Sequence, residues 1–359
     1  MAYNFGAGPA VLPRTVVTEA AAALAGSREG LSILEVSHRG GAYEAIHDAT
    51  LERCRRLYHV PEDMAILFLQ GGASLQFAMV AENLVRPGRS ADYLLTGSWS
   101  ERAMAEARRL GRAHRVAGSS QDASFSYIPT GAELSLDREA EYVHITTNNT
   151  IFGTQYGALP DTGPVPLAAD MSSDLLSRPV DWTRIGIAYG GAQKNAGIAG
   201  LTVVFLRRDL LERERDTTPT ILRYSTHVEG NSLYNTPPVF AVYVLGLVLE
   251  WIEARGAIEG TERANREKAA LVYAVLDELS GFYCGHARPD SRSVMNVTFN
   301  LRDRELNSAF CAAAEGEGLI GLKGHRSVGG VRASIYNAMP REGCQALATF
   351  MRDFARLHG

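Results

Sequence analysis

The sequence predicts an α/β fold with a mostly parallel, seven-stranded sheet between helices and a smaller α/β unit near the C-terminus. Short apolar runs alternate with helical segments as far as residue 206, which is typical of parallel strands joined by helices. The pattern changes near residue 256, and 359 residues exceed what one core usually supports. We therefore expect a large domain at 16–255 and a small domain at 256–359, with an N-terminal arm at 1–15 packing on the small domain.

The large domain is predicted to begin with two helices. Pro13 and Gly26 bracket the first, Arg14–Leu24, and the second is Tyr43–Tyr58. Apolar and β-branched runs then predict seven strands, since strands buried on both faces are apolar throughout. These strands are Ala65–Leu69, Tyr93–Leu95, Arg112–Val116, Tyr142–Thr146, Val165–Ala169, Ile185–Tyr189 and Leu201–Leu206, with helices at Leu75–Leu84 and Glu101–Leu110.

The C-terminal part has a different order of elements. Pro238–Arg255 is predicted as one long helix that ends at Gly256, and the amphipathic segment Gly260–Leu279 is predicted as another. The elements predicted after them are the strand Val294–Asn300, the helix Leu306–Gly316, the strand Val331–Ile335 and the helix Arg341–Leu357.

Composition excludes several classes of function. The chain is 46% hydrophobic and 21% charged with a net charge of −4, which is typical of a folded protein and does not favour nucleic acid or anionic membranes. Four dispersed cysteines form no C-x-x-C pair, which argues against a zinc site or disulfides and fits a reducing compartment. The apolar run Val239–Leu249 is too short to span a bilayer, and no secretory signal is visible. We expect a cytoplasmic protein without a metal site.

Lys194 lies in a loop of small residues and glycines, Ala188–Gly200, between two predicted buried strands. Such a loop allows a ligand to approach the backbone closely. A lysine whose pKa is lowered by burial or by a nearby cation can form a Schiff base with an aldehyde. A solvated turn lysine is the alternative for this residue taken alone.

Three other features also follow strands. Gln70–Gln76 is a Gly-Gly loop that opens a helix, and backbone N–H groups there can bind an anion, although a plain tight turn is the alternative. Trp99 begins the next helix, where it can stack on a flat ring or belong to the core. Asp170 ends a strand, where ligands bind in open α/β folds, although it could instead cap the turn that follows.

Together these residues match the requirements of pyridoxal 5′-phosphate. Its phosphate needs a helix N-terminus and its ring needs a stacking surface. Its pyridine nitrogen needs an acid such as Asp170, and its aldehyde needs a lysine such as Lys194. The sequence therefore predicts an enzyme that uses this cofactor.

Two His-Arg pairs flanked by glycine suggest the substrate. His38 and Arg39 precede a predicted helix, His325 and Arg326 lie in a Gly-rich loop, and Arg332 begins a strand of the small domain. Arginine binds carboxylate in a bidentate manner, and arginine with histidine suits phosphate. These residues could bind two anionic groups of one substrate, although any one of them alone could be a solvated charge.

The sequence resembles the phosphoserine aminotransferases, class-V members of the fold-type-I pyridoxal-phosphate enzymes. The resemblance runs nearly end to end, and the combination of its motifs is highly specific. The motifs include Gly8-Pro-Ala-Val-Leu-Pro, Ser37-His-Arg-Gly, Gly71-Gly-Ala-Ser-Leu-Gln-Phe, Ala169-Asp-Met-Ser-Ser, Gly191-Ala-Gln-Lys-Asn, Tyr234-Asn-Thr-Pro-Pro, Lys323-Gly-His-Arg and Val331-Arg-Ala-Ser.

The resemblance implies roles for residues around the cofactor. Lys194 would carry it and transfer the substrate proton, Asp170 would pair with the ring nitrogen, and Trp99 would stack on the ring. The remaining contacts implied by the family are Thr150 and Gln193 with the cofactor, Ala73 and Ser74 with its phosphate, and Asn235 and Thr236 with the phosphate in the partner subunit.

The resemblance further implies a homodimer with shared active sites. Arg332 would bind the α-carboxylate, and His38, Arg39, His325 and Arg326 would bind the substrate phosphate or the distal carboxylate of glutamate. Some members of the family have an arginine in the Gly-rich loop where this chain has Ser74.

The implied reaction transfers an amino group from L-glutamate to 3-phosphohydroxypyruvate, giving O-phospho-L-serine and 2-oxoglutarate in serine biosynthesis. A related activity on 4-phosphohydroxy-L-threonine in pyridoxine biosynthesis is also implied. An alanine–glyoxylate-type aminotransferase is the enzyme alternative, although small neutral side chains need no cation cluster. A non-catalytic pyridoxal-phosphate-fold protein is the other alternative, and it predicts the loss of Lys194 or Asp170.

Overall fold

A computed structural model describes residues 2–26 and 30–359. Its helices are α1 (Arg14–Ala25), α2 (Gly41–Leu57), α3 (Gly72–Leu84), α4 (Ser98–Arg109), α5 (Tyr224–Glu229), α6 (Val239–Glu253), α7 (Ala257–Glu278), α8 (Leu306–Gly316) and α9 (Arg341–His358). Its strands are β1 (Tyr3–Asn4), β2 (Met64–Leu69), β3 (Ser90–Leu95), β4 (Ala113–Ser119), β5 (Val143–Thr146), β6 (Asn148–Asn149), β7 (Thr154–Gln155), β8 (Leu167–Asp170), β9 (Ile185–Gly191), β10 (Thr202–Arg207), β11 (Tyr283–Gly285), β12 (Asn296–Leu301), β13 (Leu319–Ile320) and β14 (Val331–Ser334).

The large sheet has seven strands in the order β2-β10-β9-β8-β5-β3-β4. Strand β10 is antiparallel to both of its neighbours, and the other pairs are parallel. Strands β2, β3, β5, β8 and β9 therefore end at the same edge of the sheet, where ligands bind in open α/β folds. The predicted α/β class with a mostly parallel sheet is confirmed.

The structure extends several predicted elements. Helix α3 begins at Gly72 rather than Leu75, because Gly71 and Gly72 adopt φ values of 88° and 64° and turn the chain directly from β2 into the helix. Strand β4 continues to Ser119, beyond the predicted end at Val116, because its backbone pairs with β3 as far as Leu95. This pairing does not depend on the side chains.

Apolar residues cover both faces of the large sheet. One core cluster joins the sheet to α2 and α6, and a second joins its opposite face to α3 and α4. A third cluster lies between the sheet β11-β12-β14 and helices α7, α8 and α9. The division into domains at residue 256 stays a prediction. No helix in residues 2–26 and 30–359 is long and apolar enough to cross a membrane.

The N-terminal arm contacts both the C-terminal unit and the loops at the edge of the large sheet where its parallel strands end. Strand β1 pairs in parallel with β13, and the Ser334 N–H donates to the carbonyl oxygen of Phe5 at 3.1 Å. Further along the arm, the Ala10 N–H donates to the carbonyl oxygen of Gln193 at 2.9 Å. The arm therefore fixes one side of the Lys194 loop.

Candidate active site

A cavity of about 150 Å³ lies at the edge where the parallel strands end. The residues that line it lie at the ends of β5 and β8 or in the segments that follow β2, β3, β5, β8 and β9: Gly72, Ala73, Ser74, Trp99, Thr146, Asn148, Thr150, Asp170, Ser172, Ser173, Gln193 and Lys194. A larger surface groove of about 900 Å³ has neither a lysine nor a histidine in its lining and so lacks a comparable reactive group.

Lys194 follows β9 and is partly buried. Its Nζ donates a hydrogen bond to Thr150 Oγ1 at 2.7 Å. Burial lowers the pKa of Lys194 to about 8, with Asp170 opposing the shift and Arg332 adding to it. The position is therefore not that of a solvated turn lysine, because a substantial fraction of this amine is neutral near pH 8.

Asp170 ends β8 and its side chain is buried. Its Oδ1 accepts hydrogen bonds from the Ser172 N–H at 3.0 Å and the Ser172 hydroxyl at 2.6 Å. Burial raises the pKa of Asp170, and the contacts with Ser172 and the charge of Lys194 offset part of that rise. Asp170 thus caps the following turn through one oxygen, and the carboxylate still lines the cavity.

The first turn of α3 supplies backbone donors to the cavity. The N–H groups of Gly72, Ala73 and Ser74 have no intrahelical acceptors because they belong to the first helical turn. A Cβ built on Gly72 would have no heavy atom within 4 Å, so the space beside this turn is open. The loop predicted from its glycines therefore has the geometry of an anion site rather than that of a plain turn.

Trp99 lies in the first turn of α4, partly buried at the rim of the core cluster. Its ring centroid is 5.8 Å from Lys194 Nζ, and its Nε1 is buried without a hydrogen-bond partner in the described part of the chain. Thr150 and Gln193 line the same cavity. The structure thus brings Trp99 together with the cofactor-binding residues predicted from the same chain.

Cationic groups enter from the C-terminal unit. Arg332 on β14 donates from Nη1 to the carbonyl oxygen of Thr150 at 3.4 Å. Burial lowers the pKa of His325, and the charges of Arg332, Arg326 and Arg102 lower it further. The Ser327 N–H donates to His325 Nδ1 at 3.2 Å, so the neutral imidazole carries its proton on Nε2 and can donate it to an anion.

Seven predicted residues do not line this cavity in the described chain: His325, Arg326 and Arg332 on the C-terminal unit, and His38, Arg39, Asn235 and Thr236. His38 and Arg39 lie in the loop before α2. Asn235 and Thr236 are exposed beside the end of β2, where Asn235 Nδ2 donates to Gln70 Oε1 at 3.3 Å and Gln70 Nε2 donates to the carbonyl oxygen of Thr236 at 2.9 Å.

Sequence reasoning missed four residues that line the cavity. They are Thr146, Asn148, Ser172 and Ser173. Each lies at or just after the end of a predicted strand, and Ser172 and Ser173 also belong to the motif Ala169-Asp-Met-Ser-Ser. Asn148 Nδ2 donates to Ser173 Oγ at 2.7 Å and to Asn296 Oδ1 at 2.8 Å, which ties the cavity floor to the C-terminal sheet.

Comparison with known proteins identifies the family. The family model for class-V aminotransferases matches residues 2–347. The chain therefore belongs to the class-V aminotransferase family.

Within that family, the similar proteins are phosphoserine aminotransferases. The chain is 54% identical over 356 residues to that of Geobacillus kaustophilus, covering 99% of this chain and 98% of the relative. The solved phosphoserine aminotransferase of Bacillus circulans subsp. alkalophilus superposes with a TM-score of 0.97 at 50% identity, covering 100% and 99% of the two chains. The pyridoxal-phosphate-bound phosphoserine aminotransferase of Trichomonas vaginalis superposes with a TM-score of 0.94 at 38% identity, covering 98% and 100%. The resemblance inferred from the motifs is confirmed.

Proposed function

We propose that this protein is a pyridoxal-phosphate-dependent transaminase that transfers the amino group of L-glutamate to 3-phosphohydroxypyruvate, giving O-phospho-L-serine and 2-oxoglutarate for serine biosynthesis. One observation carries the proposal: Lys194 and Arg332 meet on the same residue, Thr150. The amine contacts its side chain at 2.7 Å and the guanidinium contacts its carbonyl at 3.4 Å. A base and a carboxylate-binding group so close together suit an α-amino acid.

The residues of the cavity fit pyridoxal 5′-phosphate. Trp99 offers an indole surface and an unpartnered buried N–H, and the first turn of α3 offers free N–H donors beside open space. Asp170 offers a buried carboxylate, and Lys194 offers an amine with a lowered pKa. When bound, the cofactor supplies an electron sink that stabilises the negative charge formed at the substrate Cα.

Lys194 is the proton-transfer group in this proposal. Its Nζ takes the proton from the Cα of the amino donor, and a pKa near 8 suits a base that works close to neutral pH. Thr150 orients the amine through the 2.7 Å hydrogen bond. Arg332 holds the α-carboxylate of the donor, which places Cα beside Nζ.

The other residues of the cavity hold the cofactor. Asp170 keeps the ring nitrogen protonated, since a buried carboxylate stabilises a cation beside it. Ser172 fixes the Asp170 rotamer through the 2.6 Å hydroxyl contact. Ala73 and Ser74 bind the phosphate through the N-terminus of α3, which needs no arginine at position 74. Gln193 and Thr150 complete the polar lining.

The cation cluster selects a second anion on the substrate. His325 lies close enough to Arg332 and Arg326 for both guanidinium charges to lower its pKa. A phosphate on the donor side chain would accept from His325 Nε2 and from the guanidinium of Arg326. A small apolar side chain would leave these groups desolvated without a partner, which disfavours alanine.

The residues outside the cavity support a homodimer with shared sites. His38, Arg39, Asn235 and Thr236 would act on the partner's cavity. Leu34, close to His38 in the chain, and Tyr234, next to Asn235, are 69% and 51% exposed. Apolar side chains exposed beside polar candidate ligands suit a protein–protein contact.

The proposal is tested by assaying the purified holoenzyme with a panel of amino donors. With 2-oxoglutarate as acceptor, O-phospho-L-serine should be converted with a kcat/KM at least about 100-fold above that of L-alanine or L-serine, because those donors lack the second anion. Arg326→Gln should lower kcat/KM for O-phospho-L-serine and leave that for L-alanine unchanged. Faster conversion of L-alanine with glyoxylate than of O-phospho-L-serine would support the alanine–glyoxylate alternative instead.

A further inference from the structure

Arg102 is a cation beside the candidate site that none of the roles above uses. It follows Trp99 by three residues on α4, so the two side chains lie on one face of the helix. The guanidinium carbon lies 4.7 Å from the centroid of the Trp99 ring, a cation–π distance. Lys194 Nζ is 5.8 Å from the same centroid. Arg102 and the candidate catalytic amine therefore approach the same indole.

The loop that carries His325 and Arg326 packs on this region. Val328 belongs to that loop and contacts the core cluster that also includes Trp99 and Met104 of α4. Its N–H donates to the carbonyl oxygen of His325 at 3.0 Å, which closes the loop into a turn. The turn therefore packs on the same apolar cluster as the helix that carries Arg102.

The charges around His325 are all positive. Burial lowers the pKa of His325, then Arg332, Arg326 and Arg102 lower it in that order, and no carboxylate among the described residues opposes them. Three guanidinium groups around one imidazole make this part of the site electrostatically complementary to a polyanion. The Gly72–Ser74 turn adds backbone donors but no side-chain cation to this region.

The two amino donors differ in charge more than in size. Glutamate and O-phosphoserine place their terminal oxygens the same number of bonds from Cα. The carboxylate has two oxygens and a single charge, whereas a phosphate monoester has a further oxygen and a charge of about −1.5 to −2 at neutral pH. A site that accepts both anions needs one more donor for the phosphate than for the carboxylate.

We propose that Arg102 is a specificity-determining residue whose guanidinium binds the additional oxygen of the phosphorylated substrate and contributes little to glutamate. This inference rests on the proposed function and names the group that separates its two amino donors. The cation–π contact with Trp99 restrains the guanidinium, so less side-chain entropy is lost when the phosphate binds. The alternative role of Arg102 is to support Trp99 only, and it would affect both donors equally.

The test compares two non-reacting ligands that share an α-carboxylate and an α-hydroxyl group and differ in the distal group, a phosphate ester or a methylene carboxylate. Binding of 3-phosphoglycerate and of 2-hydroxyglutarate to the holoenzyme is measured by calorimetry for the wild type, Arg102→Gln, Arg102→Lys and Arg108→Gln. Arg108 is an exposed arginine on the same helix and serves as the matched control. Arg102→Gln should weaken the binding of 3-phosphoglycerate about tenfold and the binding of 2-hydroxyglutarate less than about threefold. Arg102→Lys should recover most of the loss, and Arg108→Gln should match the wild type.

The same variants are assayed with the two amino donors. Arg102→Gln should raise the KM for O-phospho-L-serine about tenfold and leave the kcat with L-glutamate within about twofold of the wild type. Equal weakening of both ligands, with a changed cofactor absorption band, would assign Arg102 to the support of Trp99 and overturn the inference. Unchanged binding of 3-phosphoglycerate would also overturn it. A wild type that does not convert O-phospho-L-serine would instead contradict the proposed function.

Discussion

At the residue scale, the behaviour of Lys194 depends on three neighbours that act in different directions. Burial lowers its pKa, Asp170 raises it, and Arg332 lowers it. The result is an amine that exchanges its proton near pH 8, whereas a solvated lysine does so near pH 10.4. The sequence predicted the lysine from its Gly-rich loop but could not provide this balance, because Asp170 and Arg332 are distant along the chain.

The pKa of Lys194 can be measured in the apoenzyme. Competitive labelling with acetic anhydride, which acylates only the neutral amine, should give a midpoint near pH 8 in the folded apoenzyme and near pH 10.4 after unfolding in urea. Asp170→Asn should lower the folded midpoint and Arg332→Gln should raise it. Folding lowers this pKa, so between about pH 8 and the pKa of the unfolded state the unfolded chain binds more protons than the folded one. The free energy of unfolding should therefore increase as pH rises through that interval.

A folded midpoint that stays near pH 10.4 would contradict this account of the site, since Lys194 would then be solvated. A midpoint near 8 that does not respond to Asp170→Asn or Arg332→Gln would leave burial as the sole cause of the lowered pKa. Both charged groups would then lie too far from the amine to act with it.

At the element scale, strand ends were predictable and the contacts between units were not. Lys194 and Asp170 follow apolar runs that the sequence shows clearly, and parallel strands bring their carboxyl ends to one edge. Strands β1 and β13 have only two residues each, too few for any periodicity. Their pairing, which holds the N-terminal arm in place, depends on long-range contacts that a single sequence does not reveal.

A buried polar junction joins α7 to the loop after β14. Lys268 is 3% exposed, and its Nζ donates to the carbonyl oxygens of Ile335 at 3.1 Å, Tyr336 at 2.7 Å and Asn337 at 3.4 Å. Asn337 in turn donates its N–H to Asn195 Oδ1 at 3.0 Å, directly next to Lys194. The junction therefore supports the Lys194 loop from the C-terminal unit.

Loss of the Lys268 ammonium should destabilise the fold. Lys268→Met removes the donor to the carbonyl groups of Ile335 and Asn337, while the Tyr336 carbonyl keeps the Met339 N–H. The variant should lower the free energy of unfolding by about 2–3 kcal/mol, measured by urea denaturation at fixed protein concentration. Arg266→Met is the matched control on the same helix, because Arg266 is 65% exposed and pairs with Glu262 at 2.6 Å. Arg266→Met should lower the free energy of unfolding by less than about 1 kcal/mol. Equal costs for the two variants would show that the junction contributes nothing.

At the scale of the whole molecule, we propose that a second copy of the chain completes the active site. The sequence predicted that the pairs His38–Arg39 and His325–Arg326 serve one substrate. Of the two pairs, the described chain brings His325 and Arg326 close to Arg332. A single sequence cannot place the other pair, because quaternary contacts leave no periodicity or spacing to read. A two-fold dimer in which the loop before α2 reaches the partner's cavity reconciles the prediction with the structure.

The measurement that tests this account most directly is complementation between two inactive variants. One chain carries Lys194→Ala and the other carries His38→Ala with Arg39→Ala. The chains are co-expressed with different tags, and mixed dimers are purified through both tags. Each variant alone should have less than about 1% of the wild-type activity with O-phospho-L-serine, because it lacks the base or two anion-binding groups.

In the mixed dimer, one site combines an intact Lys194 with His38 and Arg39 of the partner subunit, and the other site lacks all three. The account predicts that mixed dimers recover about half of the wild-type activity per dimer. Mixed dimers as inactive as the two parents would contradict it, because each active site would then be contained within a single chain.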